Sequence, residues 1–221
     1  MDIILYIVIL IIPIIAQVRI SSAYNKYKNQ ENRNGLSGFE VARKILDANG
    51  LDDIYVVETS GNLTDHYDPT RKVIKLSKDI FHGNTIASAS VAAHECGHAI
   101  QDKDNYTFMR IRSFLVPVVN FVSGFSWIVI MIGLFTEMFN LFAIGICLIS
   151  ITLLFQLVTL PVEFDASKRA KEELSKLNLI GSGEDSKVKS MLDAAAMTYV
   201  ASVLTSILEI IRLILIFNDD R

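Results

Sequence analysis

The stretch SFLVPVVNFVSGFSWIVIMIGLFT (residues 113–136), a single Glu137 and then MFNLFAIGICLISITLLFQLVTLPV (residues 138–162) contains no other charged residue before Glu163. A helix needs about 20 mostly apolar residues to cross the hydrocarbon core of a bilayer. Each half is long enough, and the lone acid between them leaves room only for a tight turn, so the stretch reads as two adjacent crossings. Outward from it, residues 3–18 form an uncharged run of mainly Ile, Leu and Val, and residues 194–217 form another that carries Glu209 and Arg212. The first run is short for a crossing, but Arg19 lengthens it by extending its charged end to the interface. The run opens Met-Asp rather than with basic residues and stays apolar beyond roughly 7–15 residues, which reads as an uncleaved anchor and not a signal peptide.

Four crossings leave two polar segments, 19–112 and 163–193. Both are rich in Lys and Arg, whereas the chain before Arg19 and the turn at Glu137 have none. The positive-inside rule then puts both segments in the cytoplasm and both termini outside a multi-pass cell-membrane protein. Composition agrees, with 51% hydrophobic and 20% charged residues and a mean hydropathy of +0.39, where a soluble domain carries about 25% charge. A net charge of -3 gives no electrostatic footprint for nucleic acid. The partners expected are the lipid bilayer and a protein or peptide substrate. Cys96 and Cys147 fall in different kinds of segment, which argues against a disulfide framework.

In the first polar segment, Phe39, Val41, Ala42, Ile45 and Leu46 recur at helical spacing and Asn49-Gly50 supplies a stop. Ile54 to Glu58 is a β-branched run, Leu63 to Pro69 is turn-rich, and Lys72 to Leu76 alternates as a half-exposed strand does. A long helix follows from an N-cap near Asn84-Thr85. It carries His94-Glu95-Cys96-Gly97-His98, the H-E-x-x-H pattern. Residues four apart lie on one helix face, so both imidazoles can reach one zinc ion with Glu95 beside them. A catalytic zinc site keeps three protein ligands and a water whose pKa falls towards ~7, and Glu95 is the expected general base and acid of peptide-bond hydrolysis.

Candidates for the third ligand are His66, His82, Asp65, Asp68, Asp102, Asp104, Glu163 and Asp165. After two crossings the chain returns to the side of the histidines at residue 163, so a carboxylate there can meet them without breaking the orientation rule.

Four blocks, LTDHYDP (63–69), AHECGHAIQ (93–101), TLPVEFDASKRA (159–170) and AAAMTYVA (194–201), resemble the YugP-type membrane zinc metallopeptidases. The resemblance covers nearly the whole chain and implies a multi-spanning bacterial membrane protein with neutral zinc-dependent peptidase activity and one zinc per chain. More distantly, Glu163 to Ala170 is similar to the E-x-x-A-D-x-x-A segment of the heat-shock membrane protease and CAAX prenyl protease families. That similarity implies Glu163 as third zinc ligand, alongside His94 and His98. The Asp of that segment, which supports a zinc-bound histidine, aligns with Ser167, so either Asp165 takes the role or the Ser167 hydroxyl suffices.

The fold class expected is a mainly α membrane protein, with four transmembrane helices and a cytoplasmic gluzincin-like α+β metallopeptidase domain carrying a small sheet. Asp65 and His66 read as part of a turn leading into the strand at Lys72, with substrate lining as their other role. That strand suits an extended peptide adding to a sheet edge. Tyr199 and Arg169 are conceivable oxyanion donors. Cys96 reads as packing, and Glu209 with Arg212 as a mutually neutralised pair. The competing readings are a zinc-bound but proteolytically inactive scaffold or chaperone-like protein, and a small transporter built on that pair.

Overall fold

The computed structural model describes residues 2–219. Its order is α1 (Asp2–Tyr27), α2 (Gly38–Ala48), β1 (Tyr55–Thr59), β2 (His66–Asp68), β3 (Val73–Ser77), α3 (Lys78–His82), α4 (Ile86–Lys103), α5 (Thr107–Phe135), α6 (Phe139–Lys176) and α7 (Asp185–Asp219). The chain divides into two compact units. One comprises residues 1–17, 107–161 and 197–221, the other residues 18–106 and 162–196.

In the second unit, α2 begins at a capping box: the Ser37 hydroxyl accepts from the Glu40 N–H while the Glu40 carboxylate accepts from the Ser37 N–H. This satisfies N–H groups that the first helical turn otherwise leaves unpaired. Replacing Ser37 by Ala is expected to cost about 1 kcal/mol and to lower the melting temperature in detergent by about 2–4 °C. Val41, Ala42, Ile45 and Leu46 of α2 are completely buried and share one core with Ile74 and Leu76 of β3 and Ala89, Ala92, Ala93 and Cys96 of α4. The alanines let the helices approach closely. Thr85 caps α4, its hydroxyl accepting from the Ser88 N–H at 3.1 Å.

The sheet order is β1-β3-β2, with β1 parallel and β2 antiparallel to β3. β2 departs from the turn expected over residues 63–69. Its three residues pair with β3, Tyr67 opposite Ile74, and the turn follows at Asp68, whose Oδ1 accepts from the N–H groups of Thr70 and Arg71. Three residues are too few to show a period of two. β3 is the central strand, so the expectation that residues 72–76 offer a free edge is corrected: the open edges belong to β1 and β2. Helix α3, also unanticipated, places His82 with Nε2 2.7 Å from Glu58 Oε2.

Helices α1, α5, α6 and α7 are each long and apolar enough to cross a membrane. All four overrun the uncharged runs, because charged residues beyond an apolar stretch are good helix formers and continue the helix. Pro13, Pro117 and Pro161 lie inside α1, α5 and α6. In the first unit, Gly133 and Gly145 mark a close approach of α5 and α6. A Cβ on Gly133 would come within 2.5 Å of the Phe142 N, and one on Gly145 within 3.0 Å of the Ile130 N. Small residues at such crossings are the usual means of packing helices in lipid. Glu209 and Arg212 pair on α7, Nε to Oε2 at 3.1 Å, and the Arg212 guanidinium lies over the Tyr6 ring. Ile3, Ile4, Phe114, Phe121 and Phe135 are among many large apolar side chains left exposed, as expected of surfaces covered by hydrocarbon.

Candidate metal centre

The histidine pair stands on α4 and the opposing carboxylate on α6. Both belong to the second unit, and they meet because Gly97 lets the helices touch. A Cβ at Gly97 would lie 2.5 Å from the Ala166 carbonyl oxygen and 3.1 Å from its Cα. Ala166 is three residues beyond Glu163, about one turn of helix. The glycine within the motif is therefore what sets the spacing of the site.

Across this contact, Glu163 Oε2 lies 3.3 Å from His94 Nε2 and 3.6 Å from His98 Nε2. The imidazoles meet edge to face, with centroids 4.8 Å apart. Donor atoms about 2.0–2.1 Å from a tetrahedral zinc lie about 3.3–3.4 Å from one another, so the separations from Glu163 fit a zinc ion held between the three side chains. Among the described residues, His94, His98 and Glu163 are the group of three or more metal-binding side chains that converges in this way. Two imidazoles and a carboxylate also suit zinc chemically.

The far sides of the rings are occupied as well. Ser167 Oγ lies 3.2 Å from His94 Nδ1, and Gln101 Oε1 lies 3.0 Å from His98 Nδ1. Of the two residues expected to support a zinc-bound histidine, Ser167 is the one whose side chain touches an imidazole, that of His94. Asp165 instead accepts from Gln101 Nε2 at 2.9 Å and from Arg169 Nε at 2.6 Å. Gln101 is completely buried; in the sequence it stands only as the last residue of the block AHECGHAIQ, three residues after His98 and one turn along the same face.

Glu95 is 7% exposed and, among the described residues, its carboxylate has no hydrogen-bond or ion-pair partner. A buried carboxylate is costly to leave unpaired. Burial opposes charging of His98, yet the adjacent Glu163 and Glu95 carboxylates outweigh it and hold the imidazole pKa above its ordinary value.

Asp65 and His66 do not join the histidine pair. Asp65 Oδ1 accepts from the N–H and hydroxyl of Ser77, closing the end of β3, and burial pushes its pKa up. His66 is exposed and its Nδ1–H donates to the Thr64 carbonyl. Tyr67 donates to Asp102 at 2.9 Å, and burial with that carboxylate raises its pKa well above the ordinary phenol value, so it remains a neutral tie between β2 and α4. Cys96 is fully buried against the Ala42 carbonyl, and desolvation raises its thiol pKa, consistent with packing. Arg169 is engaged by Asp165 and Asp104, which weakens the case for it as a free oxyanion donor.

Four helices of membrane-spanning length and a three-donor cluster suited to zinc are the features expected of a membrane metalloprotein. The profile of the family described as "Putative neutral zinc metallopeptidase" matches residues 2–218, and the chain belongs to that family. It is similar to the "Putative membrane protease YugP" of Bacillus subtilis (strain 168), with 44% identity over 206 residues that cover 93% of this chain and 92% of the relative. No solved structure matches the chain.

Proposed function

We propose that the protein is an integral membrane zinc endopeptidase of the gluzincin type, with its site at the cytoplasmic face. The observation that carries this reading is the convergence of His94, His98 and Glu163 with a buried carboxylate, Glu95, close enough for its charge to act on His98. Zinc, when bound, supplies Lewis acidity that polarises the peptide carbonyl and lowers the pKa of water towards ~7. His94, His98 and Glu163 would hold it, with the two rings oriented from behind by Ser167 and Gln101. Glu95 takes the proton of the attacking water and passes it to the leaving nitrogen, which completes hydrolysis without a free amide anion.

Two sequence features support the location and substrate class. The basic residues of segments 19–112 and 163–193 favour the cytoplasmic side. Glu163 follows directly on the uncharged run 138–162 within one helix, so the site lies close to where the chain leaves the hydrocarbon. Membrane proteins and membrane-proximal segments are the substrates that reach such a site.

The test is metal analysis of the purified full chain together with mass-spectrometric detection of cleavage in a panel of bacterial membrane proteins co-reconstituted in liposomes. One zinc per chain is expected, with cleavage that stops on chelation and returns with added zinc. A zinc-loaded, folded chain that cuts nothing in the panel, or cutting indifferent to chelation, overturns the proposal.

A further inference from the structure

Gln101 lies one turn beyond His98 on α4 and connects the histidine to α6. Its Oε1 is 3.0 Å from His98 Nδ1, while its Nε2 is 2.7 Å from the Val162 carbonyl oxygen and 2.9 Å from Asp165 Oδ2. The two ends of an amide are not interchangeable, since the NH2 only donates and the oxygen accepts. Which end points where is normally an assignment made from the surroundings. Here the surroundings decide it. A backbone carbonyl and a carboxylate can only accept, so both demand the NH2 and leave the oxygen for the imidazole.

An oxygen facing Nδ1 requires the proton of the neutral ring to sit on Nδ1. Nε2 then carries the lone pair, directed at the space shared with Glu163. Arg169 fixes the position of Asp165 through Nε at 2.6 Å, and it also pairs with Asp104 just beyond the end of α4. A guanidinium stays charged at any working pH.

We infer that Gln101 is a positioning residue and that Asp165 acts on His98 through it, selecting the tautomer that can bind metal. The inference rests on the metal-centre reading proposed above. It assigns the two histidines different support: a hydroxyl that rotates to either role behind His94, and an amide of fixed polarity, backed by a carboxylate, behind His98.

The polarity can be reversed by exchanging the chemistry of the pair. Gln101→Glu keeps an acceptor for His98 but sets its second oxygen against the Val162 carbonyl and the Asp165 carboxylate. Asp165→Asn removes the charged one of the two acceptors and leaves the Val162 carbonyl alone to hold the amide in its orientation. In the double variant, one oxygen of the new glutamate accepts from His98 and the other accepts from the NH2 of the new asparagine, so the conflict with residue 165 is relieved while that with the Val162 carbonyl remains.

The experiment measures zinc affinity by chelator competition and the visible absorption of the cobalt-substituted site, on full chains whose helix content and melting are followed in parallel. Gln101→Glu is expected to lose about 10- to 100-fold in affinity, Asp165→Asn to lose less but measurably, and the double variant to bind more tightly than Gln101→Glu alone. Simple additivity of the two losses overturns the inference. If Gln101→Glu fails to fold, Asp165→Asn decides alone, because it preserves shape at a partly exposed position: unchanged affinity in the folded variant overturns the relay. Failure of the unmodified chain to bind zinc or cobalt sinks the underlying metal-centre reading instead.

Discussion

Replacing Glu95 with Gln is expected to leave zinc in place and to reduce peptide hydrolysis by a factor on the order of 10²–10⁴, the span typical of a positioned general base. The glutamine has nearly the same shape and can occupy the same 7%-exposed position, but it cannot take a proton from water. Because Glu95 is outside the three converging donors, metal content is expected to stay at one equivalent. Side-by-side metal analysis and initial cleavage rates check this. A variant that still cuts near the original rate would show that the proton travels elsewhere.

The second large effect is expected at a residue with no side chain. In Gly97→Ala the new Cβ must move away from the Ala166 carbonyl, which stands 2.5 Å away and belongs to helix backbone. Overpacking of this kind costs about 1–3 kcal/mol. The strain also displaces α6 from α4, and Glu163 moves with it. A misplacement of about 1 Å can cost roughly 10²-fold in rate. Weaker zinc binding and a drop in cleavage of about that size are therefore expected, with helix content retained. Gly124→Ala is the matching control, since its Cβ meets nothing within 4 Å. A Gly97→Ala chain that binds zinc and cuts normally would separate the helix contact from the site.

What the sequence made legible follows the range of the physical signal. Crossing helices are written in composition alone, and runs 113–136 and 138–162 show them without any knowledge of neighbours. The relation of His94 to His98 is also local, one turn of helix. Other features depend on contacts across the fold. Gln101 looks like an ordinary polar helix residue until α6 is laid against it, and Asp165 was weighed as support for a histidine without the amide that carries its effect. The Asp65-His66 pair is the converse case. Its residue types suggest a metal or substrate role, yet pairing of β2 with β3 turns Asp65 towards Ser77 and leaves His66 on the surface. The helices run past the uncharged stretches for a third reason: lack of charge marks where lipid stops, not where a helix does, and α6 continues to Lys176.

The separation of 69 residues between His94 and Glu163 has a consequence for biogenesis. The ribosome delivers both imidazoles long before the carboxylate, and all of α5 with the apolar part of α6 lies between. Under the proposed assignment a nascent chain cannot assemble the full donor set until that hairpin has been synthesised and threaded into the bilayer. Premature or misinserted products are then inert towards the proteins around them, and metal uptake becomes a report that translocation has finished.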